Sequence, residues 1–138
     1  MEPIRVAGAI ITGAGTYTQI TDIFGPAEAG AGSRVDIIAR IKNLHSSTIG
    51  IMAIGSLEYG IIPWPNITFP TPWINVPGGA TQDFAGYFIM PSSNVTLHIY
   101  SLYYSEGGWV PDDERAVSIL ALTAPVFSNL SVSFRRAA

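Results

Sequence analysis

The sequence predicts an all-β protein, a single antiparallel β-sandwich of about eight strands. Apolar and polar residues alternate with a period of two in most apolar segments, as they do when successive side chains of a strand point to opposite faces. No window sustains apolar residues at the i, i+3, i+4 and i+7 positions that a helix requires. Fourteen glycines and ten prolines separate the alternating segments at the spacing expected of a sandwich.

Length and composition limit the possible functions. A chain of 138 residues favours one domain, residues 1–138, over two. Only 12% of the residues are charged, and a surface built largely from Ser, Thr, Asn and Gly suits contact with neighbours. The formal net charge is −3 and the cations are scattered, which argues against nucleic-acid binding. Cysteine is absent, so disulfides, thiolate metal sites and a cysteine nucleophile are excluded.

The first half of the chain contains four predicted strands, near residues 4–11, 16–24, 35–42 and 49–62. The third shows the clearest alternation and is expected to be half-buried. Its apolar face carries Val35, Ile37, Ala39 and Ile41, and its polar face carries Asp36, Arg40 and Lys42.

The second half contains four more, near residues 80–90, 94–104, 115–122 and 130–134. In 94–104, one face consists of Val95, Leu97, Ile99 and Tyr103, and the opposite face of Thr96, His98, Tyr100 and Tyr104. Because this second face is aromatic and not charged, we expect it to contact something.

Loops are predicted at residues 25–33, 44–47, 63–73 and 76–79, where glycine and proline cluster. Segment 63–73 has two tryptophans and four prolines in eleven residues. We expect it to be extended and semi-rigid, and either to cap the open end of the sandwich or to contact a partner.

In residues 26–43 (PAEAGAGSRVDIIARIKN), a glycine-containing turn precedes a strand that ends at Asn43, and in residues 78–100 (GGATQDFAGYFIMPSSNVTLHIY) a later glycine-rich turn leads to the strands that finish the sheet. This order resembles the immunoglobulin-like sandwich modules of surface and virion proteins, especially the CARDB-like type, over roughly residues 20–122. The resemblance implies an immunoglobulin-like sandwich and a non-enzymatic adhesion or assembly role, and a jelly-roll-like sandwich is the alternative that the strand pattern leaves open. The acidic ending of those modules is replaced here by W109-V-P-D-D-E-R115, and the resemblance assigns no functional residue.

Asp112, Asp113 and Glu114 raise the question of a metal site. Together with Asp83 they could supply oxygen ligands to a hard cation such as Ca²⁺. Neighbouring side chains of an extended chain point in opposite directions, however, and the spacing of a dedicated calcium loop is missing. We therefore expect a solvated turn with its tip at residues 106–108, no metal, and Trp109 folded over the sandwich edge where glycine leaves room.

Catalysis has little support in the sequence. His45 and His98 are the only imidazoles, and no G-x-S-x-G elbow or nominable pair of glycosidase carboxylates occurs. We expect no catalytic residue, no cofactor and no enzymatic activity, with the histidines in surface or interface roles.

Five aromatic residues are the candidate contacts for a partner or a glycan: Trp64, Trp73, Tyr100, Tyr104 and Trp109. Their rings suit stacking on sugar faces and equally suit protein interfaces or core packing. Three glycosylation sequons occur, at Asn66, Asn94 and Asn129.

The terminal segments 1–15 and 125–138 are β-forming and poorly charged. They are expected either to complete the monomer or to pair as assembly strands with a neighbouring chain. The start makes a poor secretory signal, and no apolar run is long enough to span a bilayer.

The leading hypothesis is a structural protein that assembles with itself or with other structural proteins. A virion component (decoration, capsid or tail) or a surface-layer component, located on a virion or an extracellular surface, fits this composition. The alternative hypothesis is a carbohydrate-binding or adhesion module.

Overall fold

The computed structural model describes residues 10–11 and 15–122 of the chain. This part contains the strands β1 Ile10–Ile11, β2 Thr18–Phe24, β3 Glu28–Gly30, β4 Arg34–Asn43, β5 Ile49–Glu58, β6 Ile74–Val76, β7 Thr81–Ile89, β8 Val95–Ser105 and β9 Gly108–Leu122. No helix long and apolar enough to cross a membrane occurs among these residues. The predicted strand 130–134, most of 4–11, and nearly all of the proposed assembly segments 1–15 and 125–138 lie outside them.

The strands form two sheets that pack face to face, which confirms the predicted all-β sandwich. The larger sheet has the order β1-β9-β8-β5-β6, with β3 also paired to β9. The smaller sheet has the order β2-β4-β7. One detail differs from the prediction of a purely antiparallel sandwich, because β3 pairs with β9 in parallel.

The core lies between the sheets and follows the alternation in the sequence. Val35, Ile37, Ala39 and Ile41 of β4 are at most 2% exposed, and so are Val95, Leu97 and Ile99 of β8. The predicted inner face of β4 is therefore confirmed, and that of β8 is confirmed as far as Ile99. Tyr103, which was predicted on the same face of β8, is only partly buried. Each buried valine, leucine or isoleucine side chain of these two faces contributes about 1.5–3 kcal/mol by leaving water.

Two short strands were not predicted. β3 lies inside the predicted loop 25–33. β6 lies between the predicted loops 63–73 and 76–79 and includes the first residue of the second loop. Three residues are too few to show an alternation, so only the neighbouring strand makes them recognisable. β5 ends at Glu58, four residues before the predicted end at residue 62.

The predicted tip of the turn at residues 106–108 is confirmed, but the turn does not extend to the acidic residues 112–114. Its tip is Glu106 and Gly107, whose φ angles are 50° and 82°. Two consecutive positive φ angles are the geometry of a type I′ turn, whose twist matches that of the flanking strands. β9 therefore begins at Gly108, and residues 109–114 belong to a strand. Pro111 is accommodated because the pairing with β8 shifts register beside it.

Segment 63–73 closes one side of the sandwich. It bridges to Ser56 of β5 through Asn66 and to Tyr87 of β7 through Thr68, so it joins the two sheets. Between these bridges, the side chain of Ile67 is 5% exposed and belongs to the core. The capping role expected for this segment is thus realised at the side of the sandwich.

Candidate functional site

The candidate site is the outer face of the larger sheet, on the side of β5, β8 and β9 that points away from the core. We call it the aromatic face. It carries the five residues that the sequence singled out: Tyr100 and Tyr104 on β8, Trp109 on β9, and Trp64 and Trp73 from segment 63–73, which folds beside it. The structure divides them into a pocket, a groove and a stacked pair.

The aromatic pocket is formed by Gly50, Trp73, Asn75, Tyr104 and Trp109 and has a volume of about 310 Å³. The ring centroids of Trp73 and Trp109 lie 6.1 Å apart with a tilt of 53°. Those of Tyr104 and Trp109 lie 5.3 Å apart in an edge-to-face arrangement. About half of the surface of Trp73 and of Tyr104 remains exposed. The three rings therefore support one another and leave apolar surface for a ligand.

Gly50 forms the floor of the aromatic pocket because it has no side chain. A Cβ atom at this position would lie 3.4 Å from Cβ of Tyr104, 3.5 Å from Cη2 of Trp109 and 3.6 Å from Oδ1 of Asn75. A larger side chain would thus project into the space between these residues. Trp109 was predicted to pack where a glycine leaves space for its ring. That glycine is Gly50, which lies fifty-nine positions away in the chain.

A groove of about 340 Å³ lies next to the pocket along β5. It exists because segment 65–76 follows the edge of β5 at both ends and separates from it in between. At one end, the backbone N–H of Leu57 donates to the carbonyl of Pro65, and the N–H of Ile67 donates to the carbonyl of Gly55. At the other end, β6 pairs with β5. The groove is lined by Met52, Ala53, Ile54, Gly55, Ser56, Asn66, Ile67, Phe69, Thr71, Pro72 and Tyr100.

The groove offers neutral hydrogen-bonding groups. Ser56, Asn66 and Thr71 line it, and within the described residues none of their side chains is engaged in a hydrogen bond. Burial, and secondarily the negative charge of Glu114, raises the pKa of the Tyr100 hydroxyl above its usual value, so this group is a neutral donor at physiological pH.

Trp64 stacks on His98 at the other end of the aromatic face. The ring centroids are 4.6 Å apart and the planes are inclined by 18°. The imidazole also lies between two carboxylates, with Nε2 2.8 Å from Oε1 of Glu58 and Nδ1 3.4 Å from Oε2 of Glu114. These contacts orient the imidazole edge-on between the acids and cover one side of it with the indole.

His45 lies in the turn after β4, and in the described part of the chain it shares no contact residue with His98. The backbone N–H of Ser47 donates to its Nδ1 at 3.0 Å, which leaves the proton of the neutral ring on Nε2. Its ring meets Tyr17 edge-on at 5.0 Å. The structure thus gives the two histidines separate surroundings.

Asp112 connects the two sheets. Its carboxylate accepts hydrogen bonds from the backbone N–H groups of Thr16, Tyr17 and Thr18 at 2.7–3.0 Å, and from the hydroxyl of Thr18 at 2.6 Å. Asp112 is the extra residue at the register shift between β8 and β9, which turns its side chain toward β2. It therefore serves the fold.

Asp113 and Arg115 lie on the inner face of β9. Nη1 of Arg115 donates to Oδ1 of Asp113 at 3.2 Å, and the N–H of Ile20 in the smaller sheet donates to Oδ2 at 2.8 Å. The hydroxyl of Ser101 accepts from the N–H of Asp113 and lies 2.6 Å from the hydroxyl of Thr18. Burial raises the pKa of Asp113 despite these favourable contacts.

The predicted solvated acidic turn is therefore wrong. The three acidic residues 112–114 point toward the start of β2, into the core and onto the aromatic face, respectively. Asp83 pairs with Arg40 on the smaller sheet at 2.7 Å and takes no part in this arrangement. Within residues 15–122, no three His, Asp or Glu side chains are placed to hold a metal ion.

Two of the sequons fall on described residues. Asn66 lines the groove, and Oδ1 of Asn94 accepts a hydrogen bond from the N–H of Ala121 at 2.8 Å. The third, at Asn129, lies outside the described residues.

Gly50, Asn75 and the groove were not predicted from the sequence. Gly50 and Asn75 carry no pattern of their own, because their role depends on the pairing of β5 with β6. For the buried pair, a signal was present: extending the alternation of Val117 and Ile119 backwards places Arg115 and Asp113 on the inner face.

Comparison with known proteins supports the fold. No protein-family model matches the chain, and no curated protein sequence matches it. The chain is similar in structure to the C-terminal domain of wzt, with a TM-score of 0.59 and 12% identity over 93% of this chain and 87% of that one. It is also similar to Spo0M, a sporulation control protein from Bacillus subtilis, with a TM-score of 0.51 and 16% identity. That match covers 80% of this chain and 50% of Spo0M. The resemblance to CARDB-like modules is not tested by these comparisons and stays a prediction.

Proposed function

We propose that the protein is a non-enzymatic module that binds neutral carbohydrate on its aromatic face. The observation that carries this proposal is the aromatic pocket, in which three partly exposed rings and a side-chain amide surround a floor without a side chain. Of the hypotheses drawn from the sequence, this makes carbohydrate binding the preferred one.

The chemistry of the aromatic pocket matches that of a sugar ring. A pyranose has apolar C–H faces, which pack on Trp73, Tyr104 or Trp109, and a polar rim of hydroxyls. The amide of Asn75 can both donate to and accept from those hydroxyls. The described residues that line the pocket carry no charge, so a neutral sugar loses little on entry.

A quaternary ammonium group is a second kind of ligand that aromatic rings recognise. The ring geometry favours the sugar, because centroid distances of 5.3 and 6.1 Å place the rings in contact with one another and not around a cation. The part of the lining that the structure describes also contains no carboxylate, which would complement a cation.

The test is affinity electrophoresis in native gels that contain hydroxyethylcellulose, galactomannan or xylan, with alginate as the anionic comparison. We expect retardation by at least one neutral polysaccharide and none by alginate, since the chain carries net charge −3. Trp73→Ala and Trp109→Ala should each remove the retardation.

Tyr87→Ala is the matched control, because Tyr87 is an aromatic residue of the smaller sheet that packs against Arg34. It should leave retardation unchanged. Equal mobility of the wild type in all gels would contradict carbohydrate binding. Loss of retardation in millimolar choline would instead assign the pocket to quaternary ammonium ligands.

We propose self-assembly, or assembly with other structural proteins of a virion or surface layer, as a second candidate. The exposed apolar side chains Ile54, Ile61 and Ile62 favour it, and Ile62 is 88% exposed. Such side chains are commonly covered in an interface. A virion or an extracellular surface is the proposed location for either function.

Light scattering coupled to size-exclusion chromatography tests this second candidate. Assembly predicts a mass above that of the 14.7 kDa monomer, and Ile62→Ser should reduce it. A monomer at high protein concentration would contradict self-assembly and leave the carbohydrate proposal unaffected.

A further inference from the structure

The aromatic pocket and the groove lie end to end on the same face. Gly50 of the pocket and Met52 of the groove are two residues apart on β5, and their side-chain positions therefore face the same way. Trp73 of the pocket directly follows Pro72 of the groove. The two cavities are thus neighbours along both of their walls.

Together the cavities follow a straight path. Gly50 and Ser56 mark the two ends on β5, and six residues of an extended strand span about 20 Å. This length exceeds that of one sugar ring and accommodates a short chain of them. A straight path fits a chain whose successive rings stay in line, as they do when equatorial β-1,4 bonds join them.

The groove also has the surface that such a chain requires. The ring of Tyr100 and the side chains of Ile54 and Pro72 supply apolar contact, while Ser56, Asn66 and Thr71 supply neutral hydrogen-bonding groups. Among the residues that the structure describes, none of those lining the two cavities is charged. The aromatic pocket and the groove therefore select for the same chemistry.

We infer that the pocket and the groove form one extended site for a neutral β-1,4-linked oligosaccharide. This inference rests on the proposed function and adds the class of ligand and the dependence on chain length. One ring occupies the aromatic pocket against Trp73 and Trp109, and the following rings run along β5 over Tyr100.

The test is isothermal titration calorimetry with cello-, manno- and xylo-oligosaccharides of two, four and six units. For at least one of these series, the hexasaccharide should bind wild type at least tenfold more tightly than the disaccharide. Tyr100→Ala should bring the affinity for the hexasaccharide close to that for the disaccharide. Trp109→Ala should abolish binding of both.

Ile54→Arg is a second variant for the groove, in case Tyr100→Ala fails to fold. Residue 54 is 43% exposed, so the fold accommodates the longer side chain, which would obstruct the groove. It should weaken hexasaccharide binding about as much as Tyr100→Ala and spare the disaccharide. Tyr87→Ala again serves as the control, and thermal unfolding verifies that each variant is folded.

The possible failures are distinguishable. If affinity does not grow with chain length, or if both groove variants bind the hexasaccharide like wild type while Trp109→Ala binds neither ligand, the extended site is wrong and the pocket proposal stands. If none of the nine oligosaccharides binds although a polysaccharide retards the protein, the β-1,4 assignment is wrong. If neither assay detects binding, the proposed function itself is contradicted.

Discussion

Asp112 and Thr18 are joined by two hydrogen bonds that tie the larger sheet to the smaller one. Oδ2 of Asp112 accepts from the backbone N–H of Thr18 at 2.7 Å and from its hydroxyl at 2.6 Å. The carboxylate also accepts hydrogen bonds from the backbone N–H groups of Thr16 and Tyr17. One side chain thus satisfies the backbone at the start of β2.

Replacing Asp112 with alanine should destabilise the fold substantially. The N–H groups of Thr16, Tyr17 and Thr18 lose a charged acceptor, and we expect a loss of about 2–4 kcal/mol in the free energy of unfolding. Urea denaturation followed by tryptophan fluorescence measures it. Asp36→Ala is the matched control, since Asp36 forms an exposed pair with Arg34 and should cost less than about 1 kcal/mol. Similar losses in the two variants would contradict this role.

Asp113 should make a contribution to stability that grows in acid. Burial raises its pKa in the folded state above the unfolded value, near 3.8, so the folded protein holds this proton more tightly. The contribution is fully present below the unfolded pKa and is lost as the pH rises through the folded pKa. Most paired carboxylates behave in the opposite way.

Denaturation of wild type and Asp113→Asn between pH 3 and pH 7 tests this sign. The variant lacks the titrating group, so the difference in unfolding free energy, wild type minus variant, should increase as the pH falls through the window above 3.8. A difference that decreases on acidification would mean that Arg115 and the backbone N–H groups lower the pKa of Asp113 more than burial raises it.

Gly50→Val should remove ligand binding without unfolding the protein. Its Cβ would make ordinary contacts of 3.4–3.6 Å, while its methyl groups would fill the floor of the aromatic pocket. We expect a change in stability within about 1 kcal/mol, because β-branched residues suit strands. Affinity electrophoresis measures binding, and urea denaturation measures stability.

Gly30→Val is the control for this variant, since a Cβ at Gly30 meets no atom of the described residues within 4 Å. It should bind polysaccharide as wild type does. Unchanged binding by a folded Gly50→Val protein would place the ligand elsewhere on the molecule.

Gly86→Ala should destabilise the closure of the sandwich by segment 63–73. A Cβ at Gly86 would lie 2.7 Å from Cε1 of Phe69, which is too close, so this ring has to move. We expect a loss of about 1–3 kcal/mol by urea denaturation. Combining it with Phe69→Ala should cost less than the sum of the two single changes, because the ring that causes the clash is gone. Strict additivity would show that the two residues do not interact.

Much of the fold and part of the site could be predicted from the alternation of side chains. It identified the inner face of β4 and that of β8 as far as Ile99, because alternate residues of a strand point to opposite faces of the sheet. It also identified the outward set His98, Tyr100 and Tyr104 as a face that makes contacts. The same rule, continued through Asp113 and Arg115, was obscured by their charge, which suggested a solvated turn.

The sequence by itself determined which apolar side chains of β4 and β8 lie inside the sandwich, and that Tyr100 and Tyr104 project from the opposite face of β8. Only the tertiary structure decided which of them meet. Trp73 reaches Trp109 and Gly50 because β6 and β8 lie on either side of β5, and β9 lies beside β8. The groove forms because segment 65–76 is attached to β5 at both ends and separates from it in between. The period of two specifies a side of a strand, whereas neighbours across strands depend on register and chain path, which no local pattern encodes.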